Sequence, residues 1–240
     1  MTRIAIIAAM PAELKPLVRG WQHDRHNGVH LWRYRSNENE WIAACAGAGV
    51  DAATRAFAEA EKSGPIDEVV STGWAGALRE EFLPGHAYDV STIIDARTGE
   101  RFVAACPPSD CCLVTSSHVA GPAEKKRLVA TYESALVDME AAGVARLAKM
   151  RGIPFYCVKG ISDGLSDQLP DFNHFISPNG EFNLARFVVF AAFHPSYWPA
   201  LMRMGENSKK AARSIAQSLL NLLDERGSAS KRNDYPNHQS

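Results

Sequence analysis

Short apolar runs that end in glycine turns recur along this chain and limit it to a fold built around a buried sheet. Residues 3–9 (RIAIIAA) form a nearly continuous apolar run, and a second run at 41–46 leads into the glycine turn 47–49. Strands that are buried on both faces have this character, because helices cover such a sheet on either side. A third run at 68–72 ends in a Gly-Trp-Ala-Gly turn. The pattern predicts strands that lie between layers of helices.

Helix signals lie between these runs, in the order typical of an α/β fold. Asp51 can cap a helix over residues 52–62, and residues 139–150 consist of good helix formers. The second helix lies between two further apolar runs, at 112–115 and 155–159. This alternation predicts an α/β domain with a mainly parallel or mixed sheet. Ligands of such sheets bind at the loops beyond the carboxyl ends of strands, so the glycine turns are candidate site loops.

The C-terminal part is predicted to be one amphipathic helix followed by a polar tail. The apolar stripe of the helix at 208–225 comprises Ile215, Leu219, Leu222 and Leu223. Gly227 is expected to end this helix, and the polar residues 228–240 are expected to be disordered. Residues 1–227 are therefore predicted to form a single domain.

The composition describes an ordinary globular chain and excludes several classes of function. With 240 residues, of which 46% are hydrophobic and 22% charged, the chain can bury one full core. Its net charge of −1 gives no electrostatic basis for binding nucleic acid. Five cysteines without a CxxC pair are expected to be free thiols in the cytoplasm. The apolar runs are too short to span a bilayer, and the first residues lack the pattern of a secretory signal.

Five segments carry motifs whose order and spacing are informative together. They read IIAAMPAEL (6–14), GAGVDAATRA (47–56), STGWAGAL (71–78), VDMEAAGVARLAKMRGIPF (137–155) and VKGISDGLSD (158–167). In this order the chain resembles the nucleoside phosphorylase and nucleosidase superfamily, and it shares most with methylthioadenosine/S-adenosylhomocysteine nucleosidases. The resemblance implies a three-layer α/β fold with a central mixed, partly barrel-like sheet. It also implies an enzyme that cleaves the N-glycosidic bond of a purine nucleoside, such as a 5′-substituted adenosine.

Three acidic residues take catalytic roles by this resemblance. Asp163 is expected to protonate the leaving purine, with Ser162 orienting it, and a positioned general acid contributes about 10²–10⁴-fold. Glu140 is expected to bind the ribose hydroxyls, with Met139 under the sugar. Glu13 is expected to activate a water molecule. Each residue also has a plain structural interpretation, because Ser-Asp can cap a turn and the helix dipole favours a glutamate in a first turn.

The nucleophile stays open between water and inorganic phosphate. Bacterial phosphorylases of the superfamily use an arginine whose position here corresponds to Ser71 or Thr72, so one expected phosphate ligand is missing from the sequence. Lys15 and Arg19 lie nearby but match no family pattern. Phosphate is retained as a candidate co-substrate, and the resemblance implies no other cofactor.

The expected base and sugar contacts depart from the family in two places. Segment 116–120 should lie against the purine, where nucleosidases have a stacking aromatic residue and a backbone contact to adenine. This chain offers His118 and Val119 there, and His118 also has a plain interpretation as a hydrogen-bonded loop residue. Trp74, next to Gly73, replaces a small residue and either borders the sugar or phosphate position or packs in the core. The identity of the base is left open.

A segment of about residues 172–205 has no counterpart in ordinary nucleosidases. Its apolar and aromatic residues include Phe187, Val188, Phe190, Phe193, Tyr197 and Trp198. It is interpreted either as a packed accessory helix pair or as an apolar wall beside the 5′ side of the ribose. Such an insertion is similar to the hopanoid-associated phosphorylase subfamily, which is implicated in removing adenine from adenosylhopane. A lipid-like substrate of this kind would also suit a peripheral contact with membranes.

The sequence argues against two other kinds of site and leaves one alternative function open. An NAD-dependent enzyme is excluded because GAGVDA is not a GxGxxG fingerprint. A non-catalytic nucleoside-binding protein on the same fold remains an alternative. His23, His26 and His30 cluster, but residues 27–28 predict a turn, so a solvated polar loop is expected rather than a metal site. Relatives assemble as homo-oligomers, and the resemblance implies the same here.

Overall fold

Eleven strands and six helices alternate along residues 1–36 and 39–233, the part of the chain that the computed structural model describes, with side chains as far as residue 222. The strands are β1 (Thr2–Ala8), β2 (Gln22–His26), β3 (Val29–Arg35), β4 (Asn39–Cys45), β5 (Glu68–Ala77), β6 (Ala87–Asp89), β7 (Thr92–Asp95), β8 (Arg101–Val103), β9 (Cys112–Thr115), β10 (Leu136–Asp138) and β11 (Phe155–Asp163). The helices are α1 (Pro11–Leu14), α2 (Val50–Glu61), α3 (Pro122–Tyr132), α4 (Ala141–Arg151), α5 (Leu184–Phe193) and α6 (Trp198–Asn233). Short 3₁₀ turns lie at Phe172–Phe175 and Pro195–Tyr197.

All eleven strands belong to one mixed sheet. The strand order is β2-β3-β4-β1-β5-β10-β9-β7-β8, and β11 pairs with both β5 and β6. β1 runs parallel to β4 and β5, whereas β10 runs antiparallel to β5. The predicted fold class, an α/β fold with a mixed sheet flanked by helices, is therefore confirmed.

The long strand β5 changes its neighbour partway along one edge. Its residues 68–71 pair with β1, and Gly76 and Ala77 pair with β10. Because β11 pairs with residues 69–76 along the opposite edge, β1 and β10 share the remaining edge. Residues 72–75 lie between these two neighbours, and none of the described strands pairs with them on that edge. A crevice where neighbouring strands diverge is the usual place for a ligand in an α/β sheet.

Apolar side chains on the two faces of the sheet pack against different helices. On one face, α2 and α4 bury Phe57 and Val144 against the strands. On the other face, α6 buries Ile215 and Leu219. A smaller cluster around Leu128 holds α3 against the sheet. Burial of one such side chain stabilises the fold by about 1.5–3 kcal/mol, so these contacts fix where each helix and its adjoining loops lie.

The predicted strands are present, but β5 is longer than expected. It continues to Ala77 through the four residues predicted to form a turn. Gly73 takes a positive φ of 122°, yet it stays paired with β11. The glycine therefore changes the course of the strand without ending it, and the prediction of a turn is wrong.

Two helices begin at residues other than those predicted. The N-terminal cap residue of α2 is Gly49, and Asp51 lies in the first turn instead of capping the helix. The cap residue of α4 is Glu140, so Met139 precedes the helix that was expected to include it. Gly49 and Glu140, the two cap residues, can therefore contact each other.

The predicted final helix is too short at both ends. α6 begins at Trp198 and continues through Gly227 to Asn233, so residues 228–233 are helical, contrary to the predicted disordered tail. The rest of that predicted tail, 234–240, lies outside the described residues. No helix in the described part of the chain combines the length and the apolar character needed to cross a membrane.

The three clustered histidines lie on a β-hairpin rather than in the expected loop. β2 and β3 pair around Asn27 and Gly28, which both have positive φ, as a tight hairpin turn requires. The rings of His23 and His30 stack with 5.3 Å between centroids, and His26 contacts a carboxylate on α2. Within residues 1–36 and 39–233, no three His, Cys, Asp or Glu side chains are grouped so that they could hold a metal ion.

Gly160→Ala is expected to loosen the contact between β11 and α6. A methyl group at Gly160 would lie 2.9 Å from both Ala211 Cβ and Ile215 Cδ1, and overpacking of this kind costs about 1–3 kcal/mol. Urea unfolding should therefore show a lower midpoint and a lower free energy of unfolding. Gly205→Ala in α6 is the matched control, because open space surrounds it and alanine favours a helix by about 1 kcal/mol. An unchanged midpoint for Gly160→Ala would contradict this packing.

Candidate active site

Glu13 is a buried carboxylate held by three backbone N–H groups. Its Oε2 accepts hydrogen bonds from Ala9 (2.9 Å) and Met10 (2.7 Å), and its Oε1 accepts one from Trp74 (2.7 Å). The first two donors follow the end of β1, and the third lies on the part of β5 between β1 and β10. Burial raises the pKa of Glu13, whereas the three N–H groups and the charge of Lys159 oppose that rise. The carboxylate therefore occupies the crevice that the sheet topology creates.

Gly73 and Trp74 form the β5 side of this crevice. A Cβ atom at Gly73 would lie 2.7 Å from Glu13 Oε1, and the φ of 122° is strained for any other residue. The indole Nε1 of Trp74 donates a hydrogen bond to the backbone oxygen of Ser208 on α6, at 3.0 Å. Trp74 thus ties β5 to α6 with its side chain and binds Glu13 with its backbone.

Glu140 joins the start of α4 to the glycine turn that follows β4. Its Oε1 accepts a hydrogen bond from the Gly49 N–H at 2.7 Å, and its Oε2 accepts one from the N–H of Met139 at 3.3 Å. Burial raises the pKa of Glu140 to about 7, with a further contribution from the nearby Asp138 charge and an opposing one from Lys159. Met139 is half-buried beside it.

A fully buried ion pair, which the sequence analysis missed, lies beside these carboxylates. Lys159 Nζ on β11 is 2.8 Å from Asp138 Oδ2 on β10, and it also donates to the Thr72 carbonyl at 3.2 Å. Thr115 Oγ1 donates to the other oxygen of Asp138 at 2.7 Å. Burial lowers the pKa of Lys159, but the charges of Asp138 and Glu140 outweigh burial and raise it above its usual range. A lysine inside the apolar run of β11 was the available sequence signal.

A second ion pair joins Asp163 to Lys125 on α3. Lys125 Nζ lies 2.5 Å from Asp163 Oδ2 and donates to the Gly164 carbonyl at 2.6 Å. Ser162 Oγ donates to Asp163 Oδ1 at 2.6 Å, so the two residues predicted to act together are in contact. A Cβ atom at Gly76 would lie 3.2 Å from both Lys125 Nζ and Asp163 Oδ2, which places the pair against β5. The sequence analysis missed Lys125, because a lysine in a charged helix gives no distinctive signal.

His118 and Val119 lie on the loop between β9 and α3. The side chain of His118 is 48% exposed, and its Nδ1 is 3.2 Å from Ser117 Oγ. Both backbone polar groups of Val119 are bonded to the side chain of Asn173, the N–H at 2.8 Å and the carbonyl at 3.1 Å. A carboxamide offers one acceptor and one donor side by side, so Asn173 satisfies both backbone groups of Val119. Asn173 was not recognised from the sequence.

The segment that follows Asp163 contacts two loops of the site. Asn173 contacts the loop that carries Val119, and Gly180 contacts the glycine turn after β4. The Gly180 carbonyl accepts a hydrogen bond from the Ala48 N–H at 2.8 Å, next to the Gly49 N–H that holds Glu140. The approach is so close that a Cβ atom at Gly180 would lie 2.1 Å from the Ala48 oxygen. Arg55 on α2 adds a hydrogen bond to the Asn179 carbonyl at 2.7 Å.

The aromatic segment is packed on one side and open on the other. A set of phenylalanine rings lies 5.2–6.3 Å apart between centroids and comprises Phe172, Phe175, Phe182, Phe187 and Phe190. None of the residues of α5 is buried, and Leu184, Val188, Val189 and Phe193 are more than half exposed. The insertion therefore combines a small aromatic core with an exposed apolar surface on α5.

Five of the predicted site residues form two groups along β5, whereas Glu140, Met139, His118 and Val119 lie on other loops. Glu13, Gly73 and Trp74 lie in the crevice between β1 and β10. Asp163 and Ser162 lie at the end of β11, against the C-terminal part of β5. Both groups contact the same strand, β5.

Comparison with known proteins assigns the chain to a family. The family model described as the phosphorylase superfamily matches residues 3–110 and 98–189. The chain belongs to the phosphorylase superfamily. This membership confirms the resemblance inferred from the five motifs and identifies the chain as an enzyme of the nucleoside phosphorylase and nucleosidase type. A comparison with curated proteins gave no match.

Solved structures of bacterial nucleosidases share the fold of this superfamily member. The 5′-methylthioadenosine/S-adenosylhomocysteine nucleosidase of Helicobacter pylori, in complex with butyl-thio-DADMe-Immucillin-A, aligns with a TM-score of 0.70 and 17% identity over 94% of this chain and 99% of that chain. The futalosine hydrolase of Helicobacter pylori aligns with a TM-score of 0.70 and 16% identity, over 93% and 98% of the two chains. The S-adenosylhomocysteine nucleosidase of Streptococcus pyogenes, in complex with 5-methylthiotubericidin, has a TM-score of 0.69 and 19% identity, over 93% and 97%.

Glu140→Gln is expected to change how stability depends on pH. The folded protein holds a proton on Glu140 up to about pH 7, whereas the unfolded chain loses it near the ordinary value of 4.5. The stabilising contribution of this proton is complete below the unfolded pKa and is lost as the pH rises through the folded one. Between pH 5 and pH 8 the wild type should therefore lose about 1–3 kcal/mol of unfolding free energy relative to the variant. Urea unfolding measures this, and a difference that stays constant with pH would contradict the prediction.

Proposed function

We propose that this enzyme hydrolyses the N-glycosidic bond of a 5′-substituted purine nucleoside and releases the free base. The observation that carries the proposal is Glu13, a buried carboxylate with a raised pKa that lies in the crevice of the sheet. A raised pKa makes a carboxylate a stronger base, and enzymes tune glutamates in this way to accept protons. Glu13 would take a proton from the water that attacks C1′ of the ribose.

The contacts of Glu13 favour water over phosphate as the nucleophile. A phosphate site needs converging backbone N–H groups and cations. Here the N–H groups of Ala9, Met10 and Trp74 all bind Glu13, and the nearby buried Lys159 is bonded to a carboxylate. A phosphate dianion would also meet the negative charge of Glu13 itself. These arguments support hydrolysis, with phosphorolysis as the alternative.

The other site residues support the remaining parts of the reaction. Cleavage leaves positive charge on the sugar and negative charge on the base, so a carboxylate at the sugar and an acid at the base both help. Glu140, with Met139 beside it, suits the ribose, and Asp163, held by Ser162, suits the base. The solved nucleosidase complexes with Immucillin and tubericidin derivatives support a nucleoside as the ligand class. His118 is proposed to border the base.

The proposal is tested by measuring release of free base from three nucleosides, each with and without inorganic phosphate. The substrates are adenosine, methylthioadenosine and a long-chain 5′-alkyl adenosine. We expect release in the absence of phosphate. Strict dependence on phosphate would overturn hydrolysis and the role of Glu13. Binding without release from any substrate would favour a non-catalytic nucleoside-binding protein.

Glu13→Gln should lower kcat about 10²–10⁴-fold while leaving the affinity for free adenine nearly unchanged, because an amide cannot accept a proton from water. Base release measures kcat, and calorimetry with free adenine measures binding. Glu81→Gln is the matched control, since Glu81 is 64% exposed on a surface loop. A variant that loses affinity and turnover to the same extent would show that Glu13 supports only the shape of the site.

The exposed apolar surface on α5 supports a narrower proposal about the 5′ substituent. This helix belongs to the segment that docks on two site loops, and it presents Leu184, Val188, Val189 and Phe193 to solvent. An apolar surface of this kind suits a lipid-like group, as in adenine removal from adenosylhopane, and peripheral contact with a membrane. Methylthioadenosine and S-adenosylhomocysteine are the alternative substrates.

Replacing Val188 and Val189 together by serine should weaken selection of the long-chain substrate. Val188 and Val189 are exposed, and an alkyl chain bound over them would cover their methyl groups. Loss of these two contacts corresponds to about a tenfold or larger rise in KM for the 5′-alkyl adenosine, with methylthioadenosine little changed. Light scattering on the same samples reports the subunit number. If the variant dissociates while its KM values for both substrates remain those of the wild type, this surface instead joins two copies of the chain.

We further propose that the enzyme acts in the cytoplasm as a homo-oligomer. All five cysteines are free, which suits a reducing compartment. Burial raises the pKa of Cys45 and of Cys111 to about 12, so both thiols stay protonated and unreactive. The exposed α5 surface offers apolar area for contact between subunits.

A further inference from the structure

Lys125 is a buried cation of the site to which neither the motifs nor the proposed function assigns a role. Its side chain is only 4% exposed, although it extends from the first turns of a helix whose neighbouring residues are solvated. Its ammonium contacts Asp163 Oδ2 at 2.5 Å and the Gly164 carbonyl at 2.6 Å. An ammonium group has three N–H donors, so two of them are accounted for by these contacts.

Both oxygens of Asp163 contact a group that carries protons. Ser162 Oγ donates to Oδ1 at 2.6 Å, and Lys125 Nζ donates to Oδ2 at 2.5 Å. A carboxyl group can protonate a leaving purine only if it first holds a proton. Lys125 lies one hydrogen bond away from Asp163, which is the geometry over which a proton can pass between the two groups.

Structural support alone does not account for this lysine. A buried ion pair gains little stability over apolar side chains of similar volume, because both charges lose their hydration. The pair also constrains β5, since any side chain at Gly76 would press on Lys125 and Asp163. The lysine lies just after the loop that carries Val119, so α3 brings it to the side of the site where the base is proposed to bind.

We propose that Lys125 supplies, through Asp163, the proton that the departing purine takes up. The inference rests on the proposed glycosidic cleavage. When the C1′–N9 bond breaks, its electron pair stays with the base, and a ring nitrogen takes a proton from the Asp163 carboxyl as that carboxyl takes one from Lys125 Nζ. Water forms the new bond to C1′ and gives its proton to Glu13. Solvent then returns that proton to the neutral amine of Lys125, so the enzyme regains its initial state.

Because it acts through Asp163, Lys125 is a positioning residue, and its test must separate proton supply from support of the fold. Lys125→Met removes the charge, whereas Lys125→Arg keeps the charge and the reach but cannot give up a proton, since a guanidinium stays protonated in proteins. Lys126→Met is the matched control, because Lys126 is the exposed neighbour on the same helix. Thermal unfolding of each variant shows whether it is folded. If Lys125→Met does not fold, Lys125→Arg still tests the inference.

Each variant is assayed with a purine nucleoside and with p-nitrophenyl β-D-ribofuranoside, whose leaving group needs no proton. We expect both Lys125 variants to lower kcat for the purine nucleoside by about 10²–10³-fold, within the range for a general acid. Their kcat for the p-nitrophenyl riboside should stay within about threefold of wild type, as should both activities of Lys126→Met. An N7-methylated nucleoside, whose cationic base leaves without protonation, replaces the riboside if the wild type does not accept it.

Equal losses on both substrates would overturn the inference and leave Lys125 with a structural role, and so would full activity of Lys125→Arg on the purine nucleoside. If the wild type releases no base from any purine nucleoside, the proposed function fails and this inference fails with it. That outcome is recognised in the unsubstituted enzyme, so the two failures are distinguishable.

Discussion

The burial of one carboxylate between β1 and β10 is the constraint on which the rest of the site depends. A carboxylate removed from water is stable only when hydrogen bonds and charge replace its hydration. Glu13 finds its donors at the end of β1 and on β5 because β5 changes its neighbour there and leaves the N–H of Trp74 unpaired by any of the described strands. Gly73 leaves the space that the carboxylate fills. The change of neighbour along β5, the absence of a side chain at Gly73 and the carboxylate of Glu13 therefore depend on one another, and together they form one unit.

A buried ion pair balances part of the charge around this unit. Lys159 is wholly enclosed and bonded to Asp138, so it acts as a fixed positive charge beside Glu13 and Glu140. Three carboxylates and one ammonium still leave excess negative charge in a region of low dielectric, which accounts for the raised pKa of Glu140. Glu140 therefore changes its protonation near neutral pH, beside a lysine that keeps its charge.

Much of the fold and the acidic residues of the site could be predicted from the sequence, whereas their partners could not. Apolar runs and glycine turns are local signals, so β1, β9 and β11 were recognised, and Glu13 was found through motifs. Gly73 and Gly227 were interpreted as breaks, but β-pairing and the helix backbone continue through them, because glycine permits a turn without imposing one. Lys125 and Asn173 meet Asp163 and Val119 only through tertiary packing, which no periodicity in the sequence reports.

The attachment of the aromatic segment to the glycine turn has a consequence for how substrate range can diversify. Gly180 binds Ala48 through backbone atoms, and Arg55 donates to the Asn179 carbonyl, so these attachments need a glycine at position 180 but involve no side chain of α5. Residues on α5 can therefore change without releasing the segment from the loops of the candidate site. The same scaffold could accept new apolar or polar surfaces beside an unaltered candidate site, which makes this segment a natural starting point for laboratory evolution.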